Sequence, residues 1–351
     1  MKALKAQTLR TRNDARAVFD DMYSRGFTDG LPVLPPTQSA VWEMIDHVGL
    51  PPDDTVATLM PNDEPVTVEQ VAINAVMAGC LPEYLPVVIA AVKAVSNPDF
   101  NLLGIQTTTN PVSPVLLVNG PIRGEIDINC GRNCLGPGWR ANATIGRALR
   151  LILLNCAGGS PGDVDKATHG MPGKFTCCFG ELQEQSPWDP YHVEHGFSAD
   201  QSAVTAFGGQ GTTNVIAIYQ KPETIVHVVA ESMRCAGYNA YRNAWGSPLL
   251  LLTPGHAKIF SEHGWDKSRV KQELFERCKI PRSRMPEERL LVGAIYDNYA
   301  PDEMCLVCRK AEDIAIVVAG GPEAYHITYI PSFGHTDPVT VGIDLPARSI
   351  E

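Results

Sequence analysis

An α/β fold with a mixed, largely parallel sheet covered by helices is what this sequence predicts. Three observations carry the prediction. Segments 114–121, 248–255 and 314–322 are continuous apolar runs that each end in a Gly/Pro turn, and continuous rather than alternating apolarity marks strands buried on both faces. Segments 11–25, 38–48, 66–79 and 82–95 carry apolar residues at helical spacing, which makes 1–100 an N-terminal, mainly helical segment ahead of an α/β catalytic region, 101–351, or continuous with it. The chain has 351 residues, 44% hydrophobic and 19% charged, enough for two domains or one large α/β unit and too apolar for extended disorder.

In the first helix Ala15, Val18, Phe19 and Met22 recur at helical spacing, Asn13 or Asp14 stands at the N-cap, and Gly26 ends it. Pro32, Pro35 and Pro36 keep 27–37 out of regular helix. Cys80 sits in the turn that separates helices 66–79 and 82–95. The three apolar runs resemble one another, and helices are expected at 143–155 and 257–263, so the sheet reads as repeated α/β units with ligands at the carboxyl ends of its strands. Segments 202–207 and 214–219 read as strands and 223–235 as a helix. The Gly-, Pro- and His-rich stretch 158–196 reads as a long loop, and a loop of that length inside a domain points to an active-site wall.

Charge and composition narrow the function. Lys and Arg total 29 against 39 Asp and Glu, a net charge of -10, so a nucleic-acid partner is not expected. The apolar runs fall short of the roughly 18 residues that span a bilayer, and the first twenty residues lack the apolar core of a secretory signal, which predicts a cytoplasmic protein without a membrane partner. In that compartment the 10 cysteines read as reduced thiols. With 30 Gly and 28 Pro, tight turns and backbone-lined pockets favour an enzyme or small-ligand binder, and the buried strands favour a homo-oligomer.

The densest chemical signal is 131–150, a glycine-rich loop running into a helix whose free N–H groups and dipole favour an anion. Gly136, Gly138, Arg140, Asn142 and Arg147 are its binding candidates, with Arg140 as the bidentate anchor. The glycine spacing matches neither the P-loop nor the dinucleotide fingerprint, and no other motif names a cofactor. The second signal, 168–195, offers Lys174, Glu181 and His192 as acid/base or orienting groups, with His169 on the substrate. His192 and His195 have the spacing of metal ligands on one helical turn, but nothing stands at a closing spacing, so no metal site is expected. His256 follows the second apolar run and is a further acid/base candidate, with Ile122 and Glu323 at the matching repeat positions and a Glu/His pair suited to proton transfer. Cys134, ahead of the 143–155 helix whose dipole would lower a thiol pKa, and Cys80 are candidate nucleophiles. Cys305 and Cys308 have redox spacing but lead into a strand, so they read as packing residues.

The segments Asp29-Gly-Leu-Pro-Val-Leu-Pro-Pro-Thr37, Asn74-Ala-Val-Met-Ala-Gly-Cys-Leu-Pro-Glu-Tyr84, Gly136-Pro-Gly-Trp-Arg-Ala-Asn-Ala-Thr-Ile-Gly-Arg147 and Asp165-Lys-Ala-Thr-His-Gly-Met-Pro-Gly-Lys174 resemble a bacterial family associated with, and sometimes fused to, UGSC-type thiol or selenol proteins. Pro254-Gly-His256, Gly264-Trp265 and Val318-Ala-Gly-Gly-Pro322 extend the likeness over nearly the whole chain. The resemblance implies a cytoplasmic bacterial enzyme with thiol-linked chemistry. The chain has neither selenocysteine nor a Cys-Gly-Ser-Cys motif, so a separate thiol protein would supply the thiol.

Together these readings predict an enzyme that binds a small carboxylate-type anion at Gly136–Arg140 and performs lyase- or hydratase-like proton transfer. The alternatives are a thiol-dependent oxidoreductase using Cys80 or Cys134, and a non-catalytic small-molecule binding module.

Overall fold

The computed structural model describes residues 4–12, 14–242, 246–288 and 298–344. In chain order its elements are α1 (Ala15–Ser24), α2 (Gln38–Val48), β1 (Thr55–Leu59), β2 (Glu64–Thr67), α3 (Val68–Ala78), α4 (Leu85–Ser96), α5 (Leu102–Thr107), β3 (Ser113–Asn119), α6 (Ile122–Glu125), α7 (Arg140–Asn155), β4 (Cys178–Gly180) and α8 (Tyr191–Glu194). There follow β5 (Ala203–Gly209), β6 (Thr213–Ile216), α9 (Pro222–Met233), α10 (Asn239–Arg242), β7 (Leu249–Leu252), α11 (Pro254–Glu262), α12 (Lys267–Arg277), β8 (Ile280–Pro281), β9 (Met304–Cys305), β10 (Ala315–Val318), β11 (His326–Ile330) and β12 (Val339–Gly342). The caps follow local chemistry. Asp14 accepts the Arg16 N–H at the start of α1, and Thr67 and Gln70 form a capping box on α3. Asn13, the other N-cap candidate, lies outside the described residues.

Two four-stranded sheets form the centre, in the orders β12-β5-β3-β4 and β10-β7-β11-β6. Each contains one parallel pair, β3 with β4 and β7 with β10, and its other pairs are antiparallel. The fold is α/β as the sequence predicts, but a single largely parallel sheet is replaced by two mixed ones. The apolar runs report burial on both faces, not strand direction. Leu116 and Val118 pack with α3, α4 and α7, while Leu250, Leu252 and Ile316 pack with α9, α11 and α12. Val115 and Leu117 face Leu249, Leu251 and Val317 in a third cluster between the sheets. The result is four layers: helices, sheet, sheet, helices.

The layers come from one unit used twice. With α5, α8, α10, β8 and β9 set aside, the order α4-β3-α6-α7-β4-β5-β6 is repeated as α9-β7-α11-α12-β10-β11-β12, with the same pairing senses in each sheet. Glu181 N–H donates to Val118 O at 3.2 Å and Ala319 N–H to Leu252 O at 2.9 Å, so Val118 matches Leu252. In that register Asn119 matches Thr253, Ile122 matches His256 and Glu181 matches Ala319. The repeat is therefore twofold. The third apolar run is β10, the counterpart of β4, and not the head of a third unit.

The last strands are exchanged: β6 of the first unit pairs with β11, and β12 of the second pairs with β5. The chains cross where Gln210 N–H donates to Pro331 O and Phe333 N–H donates to Gly208 O. A Cβ on Gly209 would lie 2.8 Å from both the Val115 and Ile330 side chains, which explains glycine at the crossing.

The N-terminal part is not separate. Its helices α3 and α4 share a hydrophobic cluster with Leu116, Val118 and Val204, so a boundary at residue 100 cuts through one core. The hairpin β1-β2 interrupts its helices, and the buried Glu69 carboxylate accepts the Lys5 and Ala6 N–H groups at 2.9 and 2.8 Å. Among the described residues no helix is long and apolar enough to cross a membrane.

Candidate functional site

Strands β3 and β4 run parallel and end side by side, the first on Asn119 and the second running into Glu181, and both side chains are fully buried. Asn119 Nδ2 donates to Glu181 Oε2 at 2.6 Å, and Tyr191 N–H donates to the same oxygen at 2.8 Å. Among the described residues, the buried Glu181 Oε1 and Asn119 Oδ1 have no hydrogen-bond partner. Such orphans are rare in folded interiors, because each forfeits its hydration without a replacement bond. Burial pushes the Glu181 carboxyl above the usual carboxylate range, opposed by the Lys267 ammonium and the Tyr191, Asn119 and Val318 groups.

His192, on the single-turn α8, is also fully buried. Gln183 Nε2 lies 3.4 Å from its Nδ1, and among the described residues no partner meets its Nε2 at full hydrogen-bond geometry. Burial and then the Arg123 charge push the imidazole below its ordinary range, while backbone groups of Ser198, Gln201 and Ala199 pull it back. The Gln183 amide is oriented by Arg123, whose Nη2 donates to Gln183 Oε1 at 2.6 Å, so Gln183 Nε2 is the donor to His192. The neutral ring then carries its proton on Nε2. Arg123 also donates to Gly120 O and Glu181 O at 2.9 and 2.6 Å and pairs with Glu184, so one guanidinium fixes the whole turn after β4.

A groove of about 480 Å³ lies between the Pro187–Glu194 segment and the start of α12, and Asn119, Glu181 and His192 are not among its lining residues. Lys267, 6% exposed, donates to Asp189 O at 2.7 Å and pairs with Glu194 at 2.5 Å, and Lys271 reaches the same carboxylate at 3.5 Å. Lys267 thus joins the groove to the field felt by Glu181. Sequence reasoning missed Asn119, Arg123, Gln183, Glu194 and Lys267. One signal was present: Lys267 shares the buried face of α12 with Val270 and Leu274, where an unpaired lysine would be costly.

Other candidates are placed elsewhere. His256 is buried with both nitrogens occupied, Nδ1 by the Thr253 hydroxyl at 2.8 Å and Nε2 by Ala217 O at 3.1 Å, which makes it a tie between α11 and the end of β6. Its expected Glu323 partner forms an ion pair with Arg132 instead. Lys174 pairs with Asp165 at 2.5 Å in a turn whose Gly173 O accepts from Ser113, so it stands at the end of β3 opposite Asn119. His169 is exposed on the same loop, where Thr168 bonds to Thr109. His195 bonds to Tyr191 O and stacks on the Tyr191 ring, so it does not join His192 around a metal. Among the described residues no three His, Cys, Asp or Glu side chains are grouped to hold a metal ion.

The glycine-rich loop keeps an open helix start: α7 has no side-chain cap at Trp139, and Arg140 is exposed with Nε on Gly79 O at 2.9 Å. Its other candidates are structural. Asn142 bonds to both the N–H and the O of Asn129 and to Cys134 O, and Arg147 forms a two-point pair with Asp29 at 2.8 Å. Gly138 has φ 127, and a Cβ on Gly136 would lie 2.1 Å from Asn133, so both glycines serve the turn.

All ten cysteines are free thiols. Cys80 donates to Thr144 O, and burial pushes it up to about 12. Cys134 is pushed up to about 11 by burial, against the expectation of a lowered pKa, because the helix starts only at Arg140 and the thiol lies in the core between the sheets. Cys305 and Cys308 are buried packing residues. Comparison of the chain with protein-family profiles, with curated proteins and with solved structures finds no match.

Proposed function

We propose that the protein is an enzyme that transfers protons to and from a small carboxylate compound, in lyase- or hydratase-like chemistry, with Glu181 as the proton carrier. The observation that carries this reading is the Asn119–Glu181 pair, two fully buried side chains each with an orphan oxygen. One proton on Glu181 Oε1 satisfies both: it donates to Asn119 Oδ1 while Asn119 Nδ2 donates back to Oε2, a reciprocal acid–amide pair. Such an acid is stored neutral and ready to donate. The fold does not demand it, because the matching position in the second unit is Ala319 and Asn119 is matched by Thr253, which caps α11 and bonds to the His256 ring.

In this reading His192, kept neutral by burial and with Nδ1 on Gln183, holds the α8 turn in place, its Nε2–H aimed at the backbone of Ser198, Ala199 and Gln201. Glu181 gives its proton to a leaving hydroxyl, which departs as water, and its carboxylate then takes the proton from the neighbouring carbon, which restores the neutral acid; in reverse the acid protonates the double bond and the carboxylate takes a proton from the adding water. Two groups held in their neutral forms by opposite shifts are a recurrent acid/base arrangement. The anion is held by the lysines of α12 rather than by Arg140. A separate thiol protein fits beside this chemistry as the source of a sulfur group that the chain's own buried thiols do not provide.

The test is solvent-deuterium exchange and water addition or loss, followed by NMR, over a panel of small hydroxy- and unsaturated carboxylates. Wild-type protein is expected to label or convert at least one, and Glu181→Gln to abolish it. Turnover that survives Glu181→Gln would overturn the reading.

A further inference from the structure

We infer that Lys267 and Lys271 form a subsite for a small monocarboxylate, occupied in this structure by the chain's own Glu194. The inference rests on the proposed function and names how its substrate is held. Two ammonium groups share a single carboxylate, with Glu194 Oε1 at 2.5 Å from Lys267 and Oε2 at 3.5 Å from Lys271. The two lysines carry one positive charge more than Glu194 neutralises. The side chains of Lys267 and Lys271 are 7% and 13% exposed, so a carboxylate reaching them is paired where water screens little.

Glu194 is suited to leave. It is the last residue of a single turn bounded by Pro190 and by Gly196 at φ +90, and the N–H groups of 193–197 bond only to Pro190, His192 and Val193. The turn is fastened to the body by side chains: Tyr191 in the inter-sheet core, Gln183 on His192, and the Glu194 ion pair itself. A ligand carboxylate that replaces Glu194 keeps the lysines neutralised and frees the 193–196 turn beside His192. The rim sets the class of anion. Asp189, Asp266 and Glu312 line the groove as exposed acids, and they oppose a dianion such as phosphate more than a monocarboxylate.

The experiment is titration with sodium propionate, and separately with inorganic phosphate, followed by calorimetry and by the fluorescence of Trp188, which lines the groove. An internal competitor lowers apparent affinity by the fraction of time it occupies the site, so Glu194→Gln is expected to bind propionate about tenfold more tightly than wild type. The double variant Glu194→Gln/Lys267→Met, which removes both members of the closer ion pair, is expected to lose that gain, and phosphate is expected to bind no variant measurably. Equal propionate affinity in wild type and Glu194→Gln, or phosphate binding as tight as propionate, would overturn the inference. Binding is read without turnover, so failure here leaves the Glu181 reading to its own test.

Discussion

The Asn119 amide and the Glu181 carboxyl, 62 residues apart in the chain, meet at 2.6 Å where two parallel strands end, and each keeps one oxygen sealed from water without a donor. In the proposed reading a proton on Glu181 supplies the missing donor. Removing one member is then costly: Asn119→Ala should destabilise the protein by about 1–3 kcal/mol, because it strips Glu181 of a donor and an acceptor while leaving it buried. Urea unfolding at neutral pH measures this, and Glu181→Gln, which can still pair with Asn119, should cost less.

Stability should depend on pH through the same pair. A carboxyl whose folded pKa is raised binds its proton more tightly in the folded state, so its contribution is complete below the ordinary carboxylate pKa and is lost as pH rises toward the folded value. Glu181→Gln should flatten that part of the stability curve. His192 and His256 act in the opposite sense: both are shifted down, so stability should fall as pH drops below the ordinary histidine value of about 6.5. Thermal melts across the range separate the two, since only the fall with rising pH responds to Glu181→Gln.

His256 should prove structural. His256→Ala leaves the Ala217 carbonyl and the Thr253 hydroxyl without their partner and opens a cavity in a closed site, which predicts a loss of about 2–4 kcal/mol. Turnover per folded molecule should stay near wild type. A selective loss of turnover with unchanged stability would return His256 to the catalytic set.

Thiol reactivity should follow exposure. Cys235 is exposed and should be alkylated first in the native protein, whereas Cys80 and Cys134 should stay unlabelled until unfolding. Peptide mapping after brief iodoacetamide treatment reads the order. Early labelling of Cys134 would revive the thiol-dependent alternative.

Arg123 should act as the clamp of the turn after β4. Arg123→Lys keeps the charge but cannot donate to Gly120, Glu181, Gln183 and Glu184 together, and a loss of about 2–4 kcal/mol is expected from the unpaired buried groups. It should also free Gln183, which would appear as a raised His192 pKa in an NMR titration.

Much of the fold was legible in the sequence, because two-sided burial writes itself as runs such as Val115–Val118 and Leu249–Leu252. Strand direction was not, since an apolar run reads the same whether helices or a second sheet cover it. Glu181 and His192 could be found from the composition of their loop. Asn119, Arg123 and Lys267 could not, because each joins the site through pairing that only the folded register creates. The glycine-rich loop misled for a related reason: Arg147 and Asn142 have the chemistry of anion ligands, but Asp29, 118 residues away, occupies the first and Asn129, just ahead of the loop, the second.

The measurement that tests the account most directly is the infrared difference spectrum between wild type and Glu181→Gln at neutral pH, with the carboxyl carbons of glutamate isotopically labelled. The account predicts a protonated-carboxyl band that is present in wild type, shifts with the label and is absent from the variant. A carboxylate band at that position, with no protonated acid lost on substitution, would contradict it.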